Sequence, residues 1–327
     1  MSRFTRRLVL AGAAACAAGS GRASAQTAEW PQRAVTVIMP LQAGSASDVA
    51  LRLFLDHLAE EDAVRFTVEN VTGAAGMIGA SRAGAAAPDG YTLAALNNSI
   101  LTILPNVQTR KLGFEPFGSF APIAGIATIP TFLAVHKDVP VKTVPEFLAY
   151  LKSRDGQVNY GSGGGGSPQH LATEMFMAMT GSRMTQVAYR GATAAATDLA
   201  GGHVQAMFVA YSLALPFLPS GSIRLIGFGG SERHEAHPDV PTVAEQGVPG
   251  FEYASWIALY APSSTPAPIV QRLRASAARV LARPALKERL SAAGLALWSQ
   301  SPEQVEAAMR EDDQRWKGVV AKANITI

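Results

Sequence analysis

The sequence predicts an α/β protein of two domains, each with a mainly parallel sheet flanked by helices. Three observations lead to this prediction. Strand-like and helix-like patterns alternate in two successive series, and alternation of this kind is typical of parallel sheets covered by helices. A glycine-serine turn follows a strand in each series. The 327 residues are also enough to bury two cores.

The first series reads strand, helix, strand, helix, strand. Leu51, Leu55 and Leu58 recur at helical spacing, and Pro88-Asp89-Gly90 ends the second helical pattern. The predicted strands are Val35–Met39, Phe66–Glu69 and Tyr91–Leu96, and the predicted helices are Ala50–Glu60 and Met77–Ala87.

The second series repeats the alternation after Pro130. Its predicted strands are Thr131–Val135, Val158–Tyr160, Thr185–Tyr189, Val204–Phe208 and Ile223–Phe228, and its predicted helices are Val144–Lys152, Pro168–Thr180 and Ala192–Ala200.

A proline-punctuated stretch follows Phe228 and is predicted to be a long irregular connection. Three amphipathic helices then close the chain, near Ile269–Ala282, Ala285–Ala293 and Pro302–Ala321. Because these helices need a surface to cover, we expect the chain to return to the first sheet. Residues 26–129 with 229–327 would then form domain 1 and residues 130–228 domain 2, with crossing strands as the hinge.

The first 25 residues have the pattern of an export signal. Arg3, Arg6 and Arg7 precede the apolar stretch Leu8–Ala18, and Ala23-Ser24-Ala25 fits a signal-peptidase site. The paired arginines also resemble a twin-arginine signal. We therefore predict removal of residues 1–25 and a periplasmic location.

Composition excludes several classes of function for the remaining chain. The formal charge of +3 includes four arginines of the predicted signal, so the rest carries −1 and has no basic block. This excludes the electrostatic pattern of a nucleic-acid binder. Cys16, the single cysteine, lies within the signal, which excludes disulfides and thiol catalysis after cleavage. No later segment has the roughly 20 apolar residues of a membrane span.

Two strand-to-helix turns have the composition of anion sites. Gly161–Ser167 precedes one predicted helix, and Gly44–Asp48 precedes another. Backbone N–H groups at a helix start lack intrahelical partners, and the helix dipole adds partial positive charge there. Ligands of open α/β sheets bind at the carboxyl ends of strands, so two such turns predict a cleft that binds an anion.

The same residues also allow other functions. Gly161, Gly163 and Gly166 match the spacing of a dinucleotide fingerprint, but the strand Thr185–Tyr189 lacks the ribose-binding acid. A secreted hydrolase using Ser167 and His170 stays an alternative, although Gly-x-Ser-x-Gly is absent and no acid is evident behind His170. The histidine spacing predicts no metal, and we expect no cofactor.

Further polar residues lie at the ends of predicted strands. Tyr189-Arg190-Gly191 ends a strand with a guanidinium that can clamp a carboxylate. Asn97 and Asn98 offer side-chain amides at the same carboxyl-end rim. Asp48 also fits a purely structural role in the first helical turn.

The order and spacing of several segments resemble the Bug-type periplasmic receptors of tripartite tricarboxylate transporters. The resemblance runs from Trp30-Pro31 to Trp316. The segments that carry it are Pro238–Glu245, Pro249-Gly250-Phe251-Glu252, Ser255-Trp256, Pro88–Leu93, Glu69-Asn70 with Gly76, Tyr160–Ser167 with His170-Leu171, and Tyr189-Arg190-Gly191.

This resemblance implies a type II, Venus-flytrap fold, a small carboxylate ligand and no catalysis. It also implies delivery to inner-membrane transporter subunits, and we expect a monomer. A sensory or scavenging binding protein without a transporter stays an alternative. Together with the rim positions above, the expected ligand-binding residues are Leu41, Gly44, Ser45, Ala46, Ser47, Asn97, Asn98, Ser162, Gly166, Ser167, Tyr189, Arg190, Gly191 and Val209.

The chain departs from the family pattern in two places. The loop Pro40–Ala46 lacks the usual aromatic residue and one glycine, so we expect a different pocket shape. Val209-Ala210 stands where relatives often carry Asp-Asn. Loss of that polar pair argues against an amino-acid ligand and favours a plain or aromatic carboxylate.

Overall fold

The computed structural model describes residues 30–107 and 111–323. The predicted export signal, residues 1–25, lies outside the described residues. Within them, eleven strands form: β1 Val35–Met39, β2 Phe66–Asn70, β3 Thr92–Asn97, β4 Phe120–Ile129, β5 Thr131–His136, β6 Asn159–Ser162, β7 Thr185–Ala188, β8 Ala206–Ala210, β9 Ile223–Phe228, β10 Ser255–Pro262 and β11 Ala296–Gln300.

The helices follow the predicted apolar spacing closely, and those from Pro168 and from Ala192 have the predicted bounds. Short helical turns at Ala74–Gly76, Ser99–Ile103 and Leu215–Phe217 supplement them. The α-helices are α1 Ala46–Asp62, α2 Met77–Gly84, α3 Leu104–Val107, α4 Val144–Arg154, α5 Pro168–Thr180, α6 Ala192–Ala200, α7 Tyr211–Ala214, α8 Ala267–Leu281, α9 Pro284–Ala292 and α10 Pro302–Ala323.

The strands form two sheets, and each sheet with its helices makes one lobe. The first lobe has a six-stranded sheet in the order β11-β4-β10-β3-β1-β2, and the second lobe has five strands in the order β7-β6-β8-β5-β9. Strands joined by a helix, such as β1 with β2 and β6 with β7, pair in parallel. The predicted fold class, α/β with two sheets flanked by helices, is confirmed.

The antiparallel pairs involve the strands that pass between the lobes. β4 leaves the first sheet at Ile129, and after Pro130 the chain enters the second sheet as β5. The return path runs from Phe228 to β10, which pairs antiparallel with both β3 and β4. The crossing segments therefore reverse direction relative to their neighbours. Both sheets are mixed for this reason, and the prediction that each is mainly parallel was wrong.

β10 lies inside the stretch that was predicted to be irregular, so that prediction was wrong there. All eight of its residues are buried, in the centre of the six-stranded sheet. The run from Ser255 to Pro262 is almost continuously apolar, as expected for a strand covered on both faces. Neighbouring prolines obscured the pattern, although Pro262 only ends the strand.

The lobes also share core packing through the returning segment. Phe251 stacks on Phe208 with ring centroids 5.4 Å apart and contacts Phe176 edge-on at 6.1 Å. All three rings are buried. Because Phe251 lies in the connection between lobes, this cluster anchors that connection to the second lobe.

The last helix, α10, covers the first lobe. Val305, Met309 and Trp316 are buried along one face, as the amphipathic pattern predicts. Asp312 of α10 accepts hydrogen bonds from Asn98 Nδ2 at 3.1 Å and Thr102 Oγ1 at 2.7 Å. In the part of the chain that the structure describes, no helix is long and apolar enough to cross a membrane.

Candidate ligand-binding cleft

A cavity of about 520 Å³ lies between the two lobes. Its walls are four strand-to-helix loops, and its floor is formed where the crossing strands meet. The lining comprises residues 40–42, 45–47, 72–76, 163–165, 167–169 and 190–192, with Ile129, Thr131, Ala210, Leu213 and Ser255.

The loop before α1 is held by a buried carboxylate. Asp48 accepts from Gly44 N at 2.9 Å, Arg52 Nε at 2.9 Å and Asn70 Nδ2 at 2.8 Å. Burial raises the pKa of Asp48, but these hydrogen bonds outweigh it and the net pKa is lowered. Asp48 therefore has a structural role: its carboxylate holds the loop before α1 in place.

The start of α1 leaves backbone donors for a ligand. Ser45 is the N-cap, and its Oγ accepts from Asp48 N at 3.3 Å. The amides of Ala46 and Ser47 precede Asp48 in the first turn, where no intrahelical acceptor exists. Both residues line the cavity, so this helix end presents N–H groups and a positive dipole end to it.

The loop before α5 is organised by His170. Its Nδ1 accepts from Gly166 N at 2.9 Å, and its Nε2 lies 3.4 Å from Glu174 Oε1. The hydrogen bond from His170 lowers the pKa of Glu174, although burial opposes this. Ser167 caps the helix by accepting from His170 N at 3.4 Å. The loop is therefore held by groups behind it.

Glu174 is an acid behind His170 that the sequence did not reveal. The three residues nevertheless lack the relay of a hydrolase. Because Nδ1 accepts a hydrogen bond from the Gly166 amide and Nε2 faces Glu174, neither ring nitrogen is free to deprotonate Ser167 Oγ.

The loop before α6 brings the only charged side chain among the described lining residues, Arg190. Arg190 is exposed and forms no ion pair with a described residue. Gly191 precedes α6 in an extended conformation, and no side chain caps this helix. The first-turn amides of α6 therefore add to the positive character that Arg190 gives to the cavity wall.

Two contacts join the lobes beside the cavity. A Cβ added at Gly191 would lie 1.4 Å from Gln42 Oε1, so Gln42 packs directly on the glycine. Thr193 Oγ1 donates to Gly44 O at 3.3 Å. The loops before α1 and α6 thus meet across the cleft, and any side chain at 191 would have to displace the amide of Gln42.

Seven of the expected ligand-binding residues line the cavity, and seven do not. Several of the residues that do not line the cavity use their side chains or amides in hydrogen bonds within the protein. The lining group is Leu41, Ser45, Ala46, Ser47, Ser167, Arg190 and Gly191, and the other group is Gly44, Asn97, Asn98, Ser162, Gly166, Tyr189 and Val209.

Two members of the second group, Ser162 and Tyr189, show how their polar atoms are used. Ser162 Oγ accepts from Gly164 N at 3.2 Å and Gln186 Nε2 at 2.7 Å. Tyr189 donates to Asp198 Oδ2 at 2.6 Å, and burial together with Asp198 raises the pKa of Tyr189 to about 12. These residues shape the loops from behind.

The loop Thr72–Gly76 is a fourth wall that the sequence reading missed. Gly73, Ala74, Ala75 and Gly76 all have positive φ, which costs energy at the two alanines. The glycines between β2 and α2 were a usable signal, because they mark another strand-to-helix turn. Thr131, Ser255 and Leu213 carried no comparable signal.

Two α/β lobes that are joined by crossing strands and enclose a cleft are the architecture of solute-binding proteins, and this chain has it. The chain belongs to the tripartite tricarboxylate transporter family receptors, whose family model matches residues 50–325.

Individual relatives agree along nearly the whole chain. BugT of Bordetella pertussis is 30% identical over 323 residues, covering 97% of each chain. A protein of R. palustris solved with adipate is 32% identical with a TM-score of 0.86, covering 91% of this chain and 99% of that one. The periplasmic binding protein BugD is 28% identical with a TM-score of 0.85, at the same coverage.

Proposed function

We propose that this protein captures a small carboxylate in the cleft and delivers it to the inner-membrane subunits of a tripartite-type transporter. The observation that carries the proposal is the charge of the cavity. Helices α1, α5 and α6 all begin at its wall, Arg190 is unpaired, and no carboxylate side chain lines it among the described residues. Such a cavity favours an anion over a cation or a neutral solute.

The binding residues follow from this charge distribution. A ligand carboxylate accepts from the first-turn amides of Ala46 and Ser47 in one lobe and from Gln169 N and Arg190 in the other. Hydrogen bonds to a charged group contribute about 1.5–3 kcal/mol each. Four of them match the roughly 8 kcal/mol of a micromolar complex after association costs.

The relatives support this proposal. The R. palustris protein was solved with adipate, and the matching family is one of transporter receptors. Export by residues 1–25 would place the mature chain in the periplasm, where we propose that it acts as a monomer and not as an enzyme. Residues 26–129 with 229–327 and residues 130–228 would be the two domains that close on the ligand.

The first test is the guanidinium. Arg190→Met should weaken the binding of a carboxylate by about 10-fold or more, the loss of a charge-assisted hydrogen bond. Its melting temperature should stay at the wild-type value, because Arg190 is exposed and unpaired. Calorimetric titration of both proteins with pentanoate, glutarate, adipate and benzoate measures the difference.

Neutral analogues provide the control. Pentanamide and benzamide should bind wild type and Arg190→Met equally and weakly, because neither carries a charge. If the amides bind as tightly as the acids, anion recognition is refuted. A pull-down with the membrane subunits tests delivery, and failure there would favour a sensory or scavenging binding protein.

A further inference from the structure

Two half-buried histidines lie in a cluster of aromatic rings beside the segments that cross between the lobes. The ring of Phe132 contacts His234 and His237 edge-on, at 5.4 and 5.7 Å between centroids. Tyr211 packs on the same two imidazoles at 5.0 and 5.1 Å, and Phe228 packs on Phe132 at 4.7 Å. We call these five residues the crossing cluster.

The crossing cluster is attached to both crossing segments. Two of its rings come from residues that flank the crossings, Phe132 after Pro130 and Phe228 before Gly229. Tyr211 N donates to Pro130 O at 2.8 Å, which attaches a third ring to the first crossing. The packing of the rings is therefore coupled to the positions of the segments about which the lobes can move.

Tyr211 extends this coupling to the cleft. It begins α7, and Leu213 of the same helix lines the cavity. A Cβ added at Gly294 of the first lobe would lie 3.0 Å from backbone atoms of Ser212, so α7 also packs closely on the first lobe. The crossing cluster therefore supports a helix that reaches both the cavity and the opposite lobe.

The two histidines fit this cluster as uncharged groups. His237 Nε2 and the Tyr211 hydroxyl are hydrogen-bonded at 3.0 Å, and His234 Nδ1 accepts from Ala236 N at 3.2 Å. A proton on His234 Nδ1 would end the second of these bonds. The two imidazole centroids lie 6.3 Å apart, so two positive charges there would also repel each other.

The surroundings offer little support to a charged imidazole. Of the rings packed on the histidines, Tyr211 alone belongs to a titratable residue. On their own segment, Glu235 favours the charged form of His234, whereas Arg233 is ion-paired with a carboxylate. Burial has the largest effect and lowers the pKa of His234 and of His237 below the ordinary 6.5.

We infer that the crossing cluster is an acid-sensitive catch. Its uncharged histidines hold the crossing segments in the closed arrangement, in which the loops before α1 and α6 meet, and protonation releases them. Because the pKa of both histidines lies below 6.5 in this arrangement, an opened form binds protons first. The closed arrangement is therefore fully supported above pH 6.5 and loses support as the pH falls below that value.

Hydrogen exchange tests the catch without a ligand. In wild type, the protection factors of the Tyr211 and Gly229 amides should fall about 10-fold from about pH 7.5 to about pH 5.5, the factor that a pKa difference of one unit produces. In His234→Phe/His237→Gln, which keeps a ring and a hydrogen-bonding group, they should change by less than about 2-fold. The Val37 amide in β1 should keep its protection in both proteins.

Calorimetric titration extends the test to binding, and this part rests on the proposed carboxylate site. The probes are pentanoate, glutarate, adipate and benzoate. The affinity of wild type divided by that of the double variant should fall about 10-fold over the same pH range, and ionisation of the acid cancels in this ratio. His203→Gln is the matched control, because His203 is an exposed histidine of the same lobe, and it should follow wild type at each pH.

The outcomes separate this inference from the proposed function. Protection that does not fall in wild type, or falls equally in the variants, overturns the catch and leaves the carboxylate site standing. Loss of protection in wild type alone, with none of the acids bound, supports the catch and overturns the proposed function. If the double variant does not fold, the single variants His234→Phe and His237→Gln replace it, and each should show a smaller pH effect than wild type.

Discussion

Asp48 shows how a single side chain prepares an anion site without entering it. Its carboxylate takes the amide of Gly44 and is fixed by Arg52 and Asn70. The loop before α1 is thereby held rigid while the next amides stay unused. His170 does the same for the loop before α5 through Gly166. Asp48 and His170 therefore fix the loops by hydrogen bonds, which leaves the neighbouring backbone amides available for a ligand.

Substitution of Asp48 tests this role. Asp48→Asn should lower the free energy of unfolding by about 1–3 kcal/mol at pH 7, because an amide cannot accept from all three donors. Urea denaturation measures the difference. Asp56→Asn, on the exposed side of the same helix, should change stability by less than about 0.5 kcal/mol.

The pH dependence has a defined sign. The pKa of Asp48 is lowered from 3.8 in the folded protein, so its stabilisation is present above that value and is lost as the pH falls through the folded pKa. The gap between wild type and Asp48→Asn should therefore close in acid. A gap that stays constant down to the acid unfolding transition would contradict the role of the ionised carboxylate.

At the scale of elements, α10 is attached to the first lobe by a buried polar network as well as by its apolar face. Asp312 joins the helix to Asn98, at the end of β3, and to Thr102 in the following turn. Arg315 adds a contact to the same carboxylate at 2.8 Å. The helix therefore fixes the Asn98 side chain, whose Oδ1 accepts from Ser255 Oγ at 3.3 Å beside the cavity.

Removing this carboxylate should be costly. Asp312→Ala removes one of two acceptors from Thr102 Oγ1 and one of two from Asn98 Nδ2, and it leaves Arg315 without this partner, so we expect a loss of about 2–3 kcal/mol in the free energy of unfolding. The adjacent exposed Glu311→Ala provides the matched control, with an expected change below about 0.5 kcal/mol. Similar losses for both variants in urea denaturation would refute the network's importance.

At the scale of the whole molecule, the lobes are joined in two different ways. The crossing strands and Phe251 provide permanent connections, whereas Gln42 on Gly191 and Thr193 on Gly44 O are contacts across the cleft. The second kind can separate without unfolding either sheet. Opening and closing of the cleft then depends on the fit between the loops.

Gly191→Ala should hinder that fit. The new methyl group would occupy the position of Gln42 Oε1, so carboxylate affinity should fall by about 10-fold or more through overpacking. The backbone at 191 is extended, so the substitution itself causes no strain. Calorimetric titration with the best-binding acid measures the loss.

A second substitution identifies the cause. Gln42→Ala should remove the clash, so the double variant should recover most of the affinity that Gly191→Ala loses. The melting temperature of the unliganded single variant should stay near that of wild type. A double variant that binds no better than Gly191→Ala would rule out steric interference by Gln42.

The sequence predicts the regular parts of this fold well because their periodicity is local. The helix Pro168–Thr180 and the strand Ile223–Phe228 have their predicted bounds. β4, β10 and β11 were missed, since their partners lie far away in the chain. β10 in particular is defined by pairing with both β3 and β4, which no local pattern reports.

The cleft was predictable only in part for a similar reason. Glycine and serine at strand-to-helix turns mark positions where backbone donors gather, and two such turns do line the cavity. Which donors are already taken depends on distant residues. Asn98, for example, is occupied by Asp312, 214 positions away.

The positively polarised wall of the cleft is built largely from main-chain amides, and this has a consequence for how the protein can change. Amides persist whatever side chain a residue carries, so Leu41, Ala74, Ala75 and Leu213 can be replaced without abolishing the attraction for a negative charge. Randomised libraries at these four positions should yield receptors with new selectivities among acids. The scaffold is thus a ready starting point for engineered sensors of organic acids.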